Sequence, residues 1–286
     1  MRAVPLLALA CLAAAPARAQ AIAIPLRCHG DCPPPGRLPA TLTLDSVDVS
    51  ATLEKGRAIT YVRHVFSHGT AGSIDAAFFF PLPADAVLHT VSVFQAGELE
   101  TYNEWSRPEE SRLILDGLAR ARPELRAYAG EQLVHVHLPS VPPGGTQHIQ
   151  VGYTQPLGGG GGAIAYRYPL AAAPAPAGDL DIVLTVRTEH GFRDLHSPGH
   201  AVRVEWGTEM ARCPPTHRCG YHGVMSHRVK IVRFHGGAEA RGRDFEIVYE
   251  PAGAGEAEPL PSLPSARAPT GGRRGRSAPA PAAPRR

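Results

Sequence analysis

The residues best suited to metal or redox chemistry are four cysteines, one pair near the N-terminus and one in the last third of the chain. His29 lies inside the first pair, and His217, His222 and His227 surround the second. An even number of cysteines in an exported protein indicates disulfides, and zinc binding is the alternative. The four cysteines are Cys28, Cys32, Cys213 and Cys219; a fifth, Cys11, lies in the N-terminal segment that we expect to be removed on export.

Four cysteines allow three disulfide pairings, and the sequence leaves the choice open. The local pairing would pin two turns, whereas a crossed pairing would tie the N-terminal segment to a distant loop. Only Cys28-x3-Cys32 has the tight spacing of a zinc hook. We expect Cys213–Cys219 to be a disulfide-pinned surface loop, in which Tyr221 and His222 are candidates for protein recognition. The alternative is a zinc-binding exported protein, and with it a hydrolase, that uses Cys213, His217, Cys219 and His222.

A second group places an acid, two imidazoles and a hydroxyl within seven residues: Asp194, His196, Ser197 and His200. Residues adjacent in sequence on one turn rarely form a catalytic triad, whose members are recognised by their geometry in the fold. Pro198 also marks a bend. The pattern therefore predicts a structural loop.

No familiar catalytic motif is present. The chain has no Gly-x-Ser-x-Gly elbow, no Walker loop, no His-Glu-x-x-His and no dinucleotide-binding fingerprint. The glycine run Gly158–Gly162 is not followed by the Lys-Ser/Thr of a phosphate loop, so it predicts a flexible linker. We expect neither enzyme activity nor a cofactor.

The formal charge of +3 belongs to the two ends of the chain. Met1–Ala19 carries two arginines and no acid, and residues 251–286 carry six arginines against two glutamates. Residues 20–250 are then left at about −3, which argues against a basic nucleic-acid-binding body.

The N-terminus predicts export. Arg2, the apolar run Val4–Ala15 and the closing Ala17-Arg18-Ala19 are typical of a secretory signal peptide. The apolar run is shorter than the roughly 20 residues that span a bilayer, and no later stretch is apolar enough, so we expect no transmembrane segment. The Pro/Ala/Arg-rich residues 251–286 are expected to be disordered, with a weak contact to anionic surfaces as one use of their arginines.

Between Thr41 and Glu250, alternating apolar and polar residues predict short strands with one packed face, as in β-sandwiches. One helix interrupts them. Ser106 and Glu109 form a capping-box pattern, and an apolar face follows at Ile114, Leu118, Ala121 and Leu125. The predicted strands are Ala58–Phe66, Ala76–Phe80, Val87–Phe94, Leu133–Leu138, Thr146–Thr154, Ala163–Tyr168, Asp179–Arg187, Ala201–Trp206, Arg228–Phe234 and Arg243–Tyr249.

Several ordered blocks over about Leu42–Leu157 resemble the VIT domain, named from vault and inter-alpha-trypsin-inhibitor proteins. One of them, Phe78–Ala86, contains Phe79-Phe80-Pro81-Leu82-Pro83, which is similar to the family's aromatic-Phe-Pro-Leu-Pro signature. Residues 163–250 look like the second β unit that often follows this domain. The matching blocks are Asp48–Thr52, Val65–His68, Phe78–Ala86, Ser111–Arg122, Pro123–Gly130, Val141–Gly145 and Val151–Leu157.

The resemblance implies a non-catalytic interaction module. Relatives usually carry a von Willebrand A domain with a metal-binding Asp-x-Ser-x-Ser motif. Asp48-Val49-Ser50-Ala51-Thr52 imitates that motif but lies inside the first VIT strand, so we expect no metal there. No A domain follows, so we expect the partner to be an unidentified envelope protein, with a separate A-domain chain as one candidate.

The sequence thus predicts a mainly β protein: an antiparallel β-sandwich VIT domain with one inserted helix, a second small β unit and a disordered tail. The expected function is an exported protein–protein interaction module of a bacterial cell envelope. The expected order is a signal peptide (1–19), an N-terminal arm with the first cysteine pair (20–40), the VIT-like domain (41–157), the glycine linker (158–162), the second β unit (163–250) and the tail (251–286).

Overall fold

The structure is a computed structural model that describes residues 21–34, 36–83, 85–95, 98–102, 105–121, 123, 132–160, 162–170, 178–212, 224–237, 240 and 243–253. Within these ranges the chain forms fifteen strands and one α-helix. They are β1 (Ile22–His29), β2 (Thr43–Glu54), β3 (Arg57–Ser67), β4 (Ser73–Leu82), β5 (Val87–Gln95), β6 (Glu98–Tyr102), α1 (Pro108–Ala121), β7 (Gln132–Val141), β8 (Thr146–Pro156), β9 (Gly158–Gly160), β10 (Ala163–Tyr168), β11 (Asp179–Val186), β12 (Phe192–His196), β13 (Arg203–Arg212), β14 (Val224–Gly236) and β15 (Phe245–Pro251).

The strands form three sheets. The largest has eight strands in the order β13-β14-β11-β2-β3-β8-β5-β6, and the smaller ones have the orders β12-β15-β10-β9 and β1-β4-β7. The pairing is antiparallel except between β2 and β11, which run parallel with Ser46–Leu53 beside Asp179–Val186. The mainly β fold with one inserted helix is therefore confirmed.

One face of the eight-stranded sheet packs on both smaller sheets, which lie side by side as the second layer of a sandwich. Strand β3 illustrates the arrangement because its buried residues alternate. Phe66 meets Phe78 of the three-stranded sheet with ring centroids 6.0 Å apart. Thr60 Oγ1 lies 3.3 Å from the hydroxyl of Tyr166 in the four-stranded sheet. The main core thus continues across all three sheets.

Strand β4 is buried on both faces, because α1 covers the outer side of the three-stranded sheet. Phe78 and Phe80 face the main core, and Phe79 faces a smaller core beneath the helix. Leu115 and Ala119 of α1 complete that smaller core, and both are fully buried. The Phe78-Phe79-Phe80 run therefore serves two cores, which explains why it shows no alternation.

The start of α1 differs from the predicted capping box. Glu110, not Glu109, reaches back, and its Oε2 accepts a hydrogen bond from the backbone N–H of Arg107 at 3.1 Å. Ser106 Oγ lies instead 3.0 Å from Nδ1 of His135 in β7. The helix therefore begins one residue later than the pattern indicated, since Ser106 is held by the neighbouring strand.

Three further segments depart from the sequence predictions. The expected N-terminal arm contains β1, which pairs with β4. The first three residues of the glycine run form β9, which pairs with β10. Asp194 and His196, expected in a loop, belong to β12. Across the described ranges, no helix has the length and apolar composition needed to cross a membrane.

Candidate functional site

The exposed side of α1 carries apolar residues where a solvated helix would carry charges. Leu113 is 72% exposed and Ile114 is 36% exposed. Gly117 and Ala121, also exposed, follow at helical spacing on the same side. We call Leu113, Ile114, Gly117 and Ala121 the α1 flank.

The α1 flank exists because the helix packs through a different side from the predicted one. The apolar face predicted from sequence included Ile114, Leu118 and Ala121, with Leu125 lying outside the described residues. The buried residues are instead Ser111, Leu115 and Ala119, with Leu118 partly buried against the smaller core. Among the described residues of the predicted face, Leu118 packs as predicted, whereas Ile114 and Ala121 stay in contact with solvent.

The opposite exposed side of α1 is polar and provides an internal comparison. It carries both signs of charge at helical spacing, through Arg112, Asp116 and Arg120. Glu109 and Glu110 lie one turn before Leu113 and Ile114, at the N-terminal end of the α1 flank. The helix thus has a buried stripe, an apolar exposed stripe and a charged exposed stripe. Charges of both signs on one exposed face suit solvation, whereas an exposed apolar stripe suits contact with another molecule.

Cys28 and Cys32 form a disulfide with a Cα–Cα distance of 5.8 Å. For this pair the local pairing is therefore the one observed. A cleft of about 370 Å³ adjoins it, lined by Asp31, Cys32, Arg37 and Thr70 with three small neighbours, Pro33, Gly69 and Ala71. The other candidates lie outside the described residues: Cys213, His217, Cys219, Tyr221, His222 and residues 254–286 of the tail.

A carboxylate braces the strands beside this disulfide. Asp75 Oδ2 lies 2.9 Å from His29 Nε2, and its Oδ1 accepts a hydrogen bond from the backbone N–H of Ser140 at 2.9 Å. Hydrogen bonding to His29 is the main cause that lowers the pKa of Asp75, and the Ser140 bond adds to it. Ser140 has a left-handed φ of 52°, which the bond to Asp75 helps to hold. Both carboxylate oxygens are engaged, so Asp75 acts as a structural brace.

Asp194, His196, Ser197 and His200, which the sequence groups as acid, base and hydroxyl, do not form one hydrogen-bonded set. Asp194 Oδ2 lies 2.6 Å from His196 Nδ1, with both side chains about half exposed. Ser197 Oγ accepts a hydrogen bond from the backbone N–H of His200, and His200 Nε2 lies 2.9 Å from the carbonyl oxygen of Ala240. These contacts tie the segment to its neighbours and do not assemble a nucleophile with its base. Over the described parts of the chain, no three His, Cys, Asp or Glu side chains are grouped to hold a metal.

A buried histidine was missed by sequence reasoning. His64 is 1% exposed, and burial lowers its pKa to about 3. Its ring lies among Phe66, Phe78 and Phe80, at centroid distances of 6.2, 5.7 and 5.5 Å. The signal was available, because His64 occupies an inward position of the β3 alternation. Its role is packing as a neutral ring.

A second cleft, of about 460 Å³, lies between the β4–β5 connection and the four-stranded sheet. Arg167 and Glu246 pair across adjacent strands at 3.4 Å, and Asp85 lines the opposite part of the cleft. Gln155 is 7% exposed, and no described group hydrogen-bonds its Oε1. That oxygen is itself shielded from solvent, although Gln155 also lines the cleft.

Comparison with known proteins adds little to the chemistry. No protein-family model matches the chain, and no curated protein matches it. Among solved structures, the chain is similar to the crystal structure of a protein from Legionella pneumophila subsp. pneumophila that is provisionally described as nutrient-binding. The identity is 10% and the TM-score 0.42, over 80% of this chain and 71% of that chain. A likeness of this degree says nothing about ligand or activity, and the VIT resemblance stays a prediction.

Proposed function

We propose that the protein is an exported, non-catalytic VIT-type β-sandwich protein that acts as a protein-interaction module of a bacterial cell envelope. The observation that carries this proposal is the α1 flank. A leucine that is 72% exposed, beside a partly exposed isoleucine, is apolar surface that a partner would remove from water.

The spacing of the α1 flank suits one mode of recognition. Leu113, Gly117 and Ala121 recur every four residues, and Ile114 widens the stripe. Proteins that bind a helix in an apolar groove contact apolar residues at such intervals. The two small residues would let the partner's backbone approach the helix closely. Complete burial of a leucine side chain contributes about 1.5–3 kcal/mol, so Leu113 would be the main anchor.

The order of elements supports the VIT part of the proposal. The described residues of the blocks matched by sequence lie between the start of β2 and Leu157, just after β8, with α1 between β6 and β7; residues 84, 122 and 124–130 lie outside the described ranges. Phe80-Pro81-Leu82 ends β4, at the point where the chain turns toward β5. The partner we propose is another envelope protein, and a chain carrying an A domain is the first candidate.

Site-specific photo-crosslinking tests the proposal. A benzophenone amino acid is placed at Leu113 in one protein and, as the matched control, at Asp116 on the charged side of the same helix. In native envelopes we expect one saturable partner to crosslink from position 113 and not from position 116.

Binding of the purified partner completes the test. Leu113→Ser should weaken its affinity by about tenfold or more, because the buried leucine is lost. Asp116→Ser should leave the affinity within about twofold of that of the unsubstituted protein, since surface ion pairs contribute little. Identical crosslinked products from both positions, or unchanged affinity for Leu113→Ser, would count against the proposal.

A further inference from the structure

The two sulfurs of the Cys28–Cys32 disulfide lie in different surroundings. Cys28 belongs to β1, is partly buried and packs against the main core, whereas Cys32 lies in the following loop and is exposed. Gly72 fits closely against Cys28, since a Cβ at that position would lie 2.9 Å from its Sγ. A thiolate can exchange only with a sulfur that it can reach. Cys32 is therefore the sulfur open to attack.

The accessible sulfur belongs to the wall of a cleft that offers recognition groups. Arg37, Asp31 and Thr70 line the same cleft of about 370 Å³. A guanidinium is suited to a carboxylate, and a carboxylate to an ammonium group. Opposite charges and a hydroxyl beside a disulfide sulfur match a small thiol that carries both a carboxylate and an ammonium group.

Opening this disulfide would leave the fold around it in place. The bridge joins residues four apart in sequence, and the stabilisation from a disulfide falls as the loop that it closes becomes shorter. Strand β1 is held independently, because Ile22–His29 pairs with β4 and Ala23 accepts a hydrogen bond from Leu42. The bridge can therefore open while β1 stays paired.

We propose that the Cys28–Cys32 disulfide is a thiol–disulfide exchange site at which a small zwitterionic thiol becomes linked to Cys32. The thiolate of the small thiol forms a bond to Cys32 Sγ, and the Cys28–Cys32 bond breaks. Its electron pair leaves on Cys28 Sγ, which takes up a proton from water. A second molecule of the thiol then attacks the sulfur of the bound one and releases the small disulfide, so that Cys32 leaves as a thiolate. The protein disulfide is the oxidant and the small thiol is the reductant.

Reduced glutathione is the probe for this exchange. The full-length oxidised protein is treated with it, quenched in acid, alkylated and mapped by peptide mass spectrometry, which separates this pair from Cys213 and Cys219. We expect glutathione on Cys32 and alkylation on Cys28, in about tenfold excess over the reverse. Adducts mainly on Cys28, or reduction only after unfolding by denaturant, would overturn the proposal.

The recognition step has its own test. Arg37→Ala should slow the reaction with glutathione about fivefold, the size of one exposed ion pair, and should leave the reaction with uncharged 2-mercaptoethanol unchanged. Arg57→Ala, at the exposed first residue of β3, is the matched control and should change neither rate. If Arg37→Ala slows both thiols equally, the cleft does not recognise the thiol and that part of the proposal fails.

Single-cysteine variants give a second measurement of the asymmetry. With glutathione disulfide as the probe, Cys32 in Cys28→Ser should be modified about tenfold faster than Cys28 in Cys32→Ser, because Cys32 is exposed and Cys28 is partly buried. Circular dichroism checks that both variants are folded. Equal rates in two folded variants would overturn the assignment of Cys32 as the attacked sulfur.

Discussion

Acid should destabilise this protein through His64, which the fold holds in its neutral form. The ring is 1% exposed among phenylalanine side chains, and no described group hydrogen-bonds its Nδ1. Burial lowers its pKa from 6.5 to about 3, against a smaller opposing effect of a hydrogen bond to the backbone of Ile149. The imidazolium form is therefore excluded from the folded state at moderately acidic pH.

The sign and size of the effect follow from proton linkage. Between pH 6.5 and about 3, the unfolded chain binds a proton at His64 and the folded protein does not. The free energy of unfolding is therefore highest above pH 6.5 and falls as the pH decreases through this window. At pH 5 the loss is about 2 kcal/mol, because each pH unit below 6.5 costs about 1.36 kcal/mol.

Urea unfolding at pH 7.5 and pH 5.0 measures this loss. His64→Leu keeps a similar volume in the core and removes the titrating group. We expect the difference in unfolding free energy between the two pH values to be about 2 kcal/mol smaller in His64→Leu than in the unsubstituted protein. Groups such as His135, whose pKa burial lowers to about 4, are present in both proteins and cancel in the comparison.

The control is His190→Leu, which removes an exposed imidazole from the connection between β11 and β12. It should keep the pH dependence of the unsubstituted protein. If His64→Leu keeps that dependence as well, the reasoning is refuted, because His64 would then be accessible to protons in the folded state.

Three further changes test the packing and the ion pairs by urea unfolding. Gly178→Ala should destabilise the protein by about 2 kcal/mol or more, because a Cβ there would overlap the backbone carbonyl of Asp45. An unchanged midpoint of urea unfolding would contradict this contact. Gly117→Ala should stabilise it by about 0.5–1 kcal/mol, since nothing lies within 4 Å of an added Cβ in α1, and a lower midpoint would show that this position is not open. Arg187→Lys removes a guanidinium that pairs with both Glu209 and Glu54. We expect it to lower the free energy of unfolding by at most about 1 kcal/mol, and by less in 1 M salt. A loss that is independent of salt would argue against an ionic origin.

Strands with one packed face could be predicted from the sequence. Leu180, Ile182, Leu184 and Val186 alternate along β11, and all four are buried. The predicted span Ala163–Tyr168 coincides with β10. These strands were recognisable because every second side chain is buried, and the alternation of apolar and polar residue types shows it.

Elements that depend on distant partners could not be predicted in this way. Strand β9 is formed by glycines, which have no side chains to alternate, and it exists because β10 offers a backbone to pair with. The buried side of α1 is the side that packs against Phe79 and Ile24 of the sheet beneath it. The helix sequence alone offers two apolar stripes and no basis for choosing between them.

The candidate sites divide in the same way. The sequence left the pairing of Cys28 open among three arrangements, and the structure shows the local bridge to Cys32, four positions along the chain. The α1 flank was not predictable, because exposure is a property of the packed structure. His64 was predictable in part. Its inward position on β3 follows from the alternation of that strand, whereas Phe78 and Phe80, which surround its ring, come from β4.

The parallel ladder between β2 and β11 has a consequence for how the chain is made. Glu54, the last residue of β2, and Arg187, which directly follows β11, are 133 residues apart in sequence. At 5–20 residues per second of synthesis, β2 would wait about 7–27 seconds for the neighbour that covers one of its edges. An uncovered strand edge is a template for pairing with other chains. The nascent protein therefore passes through an interval in which a holding chaperone at β2 would protect its yield.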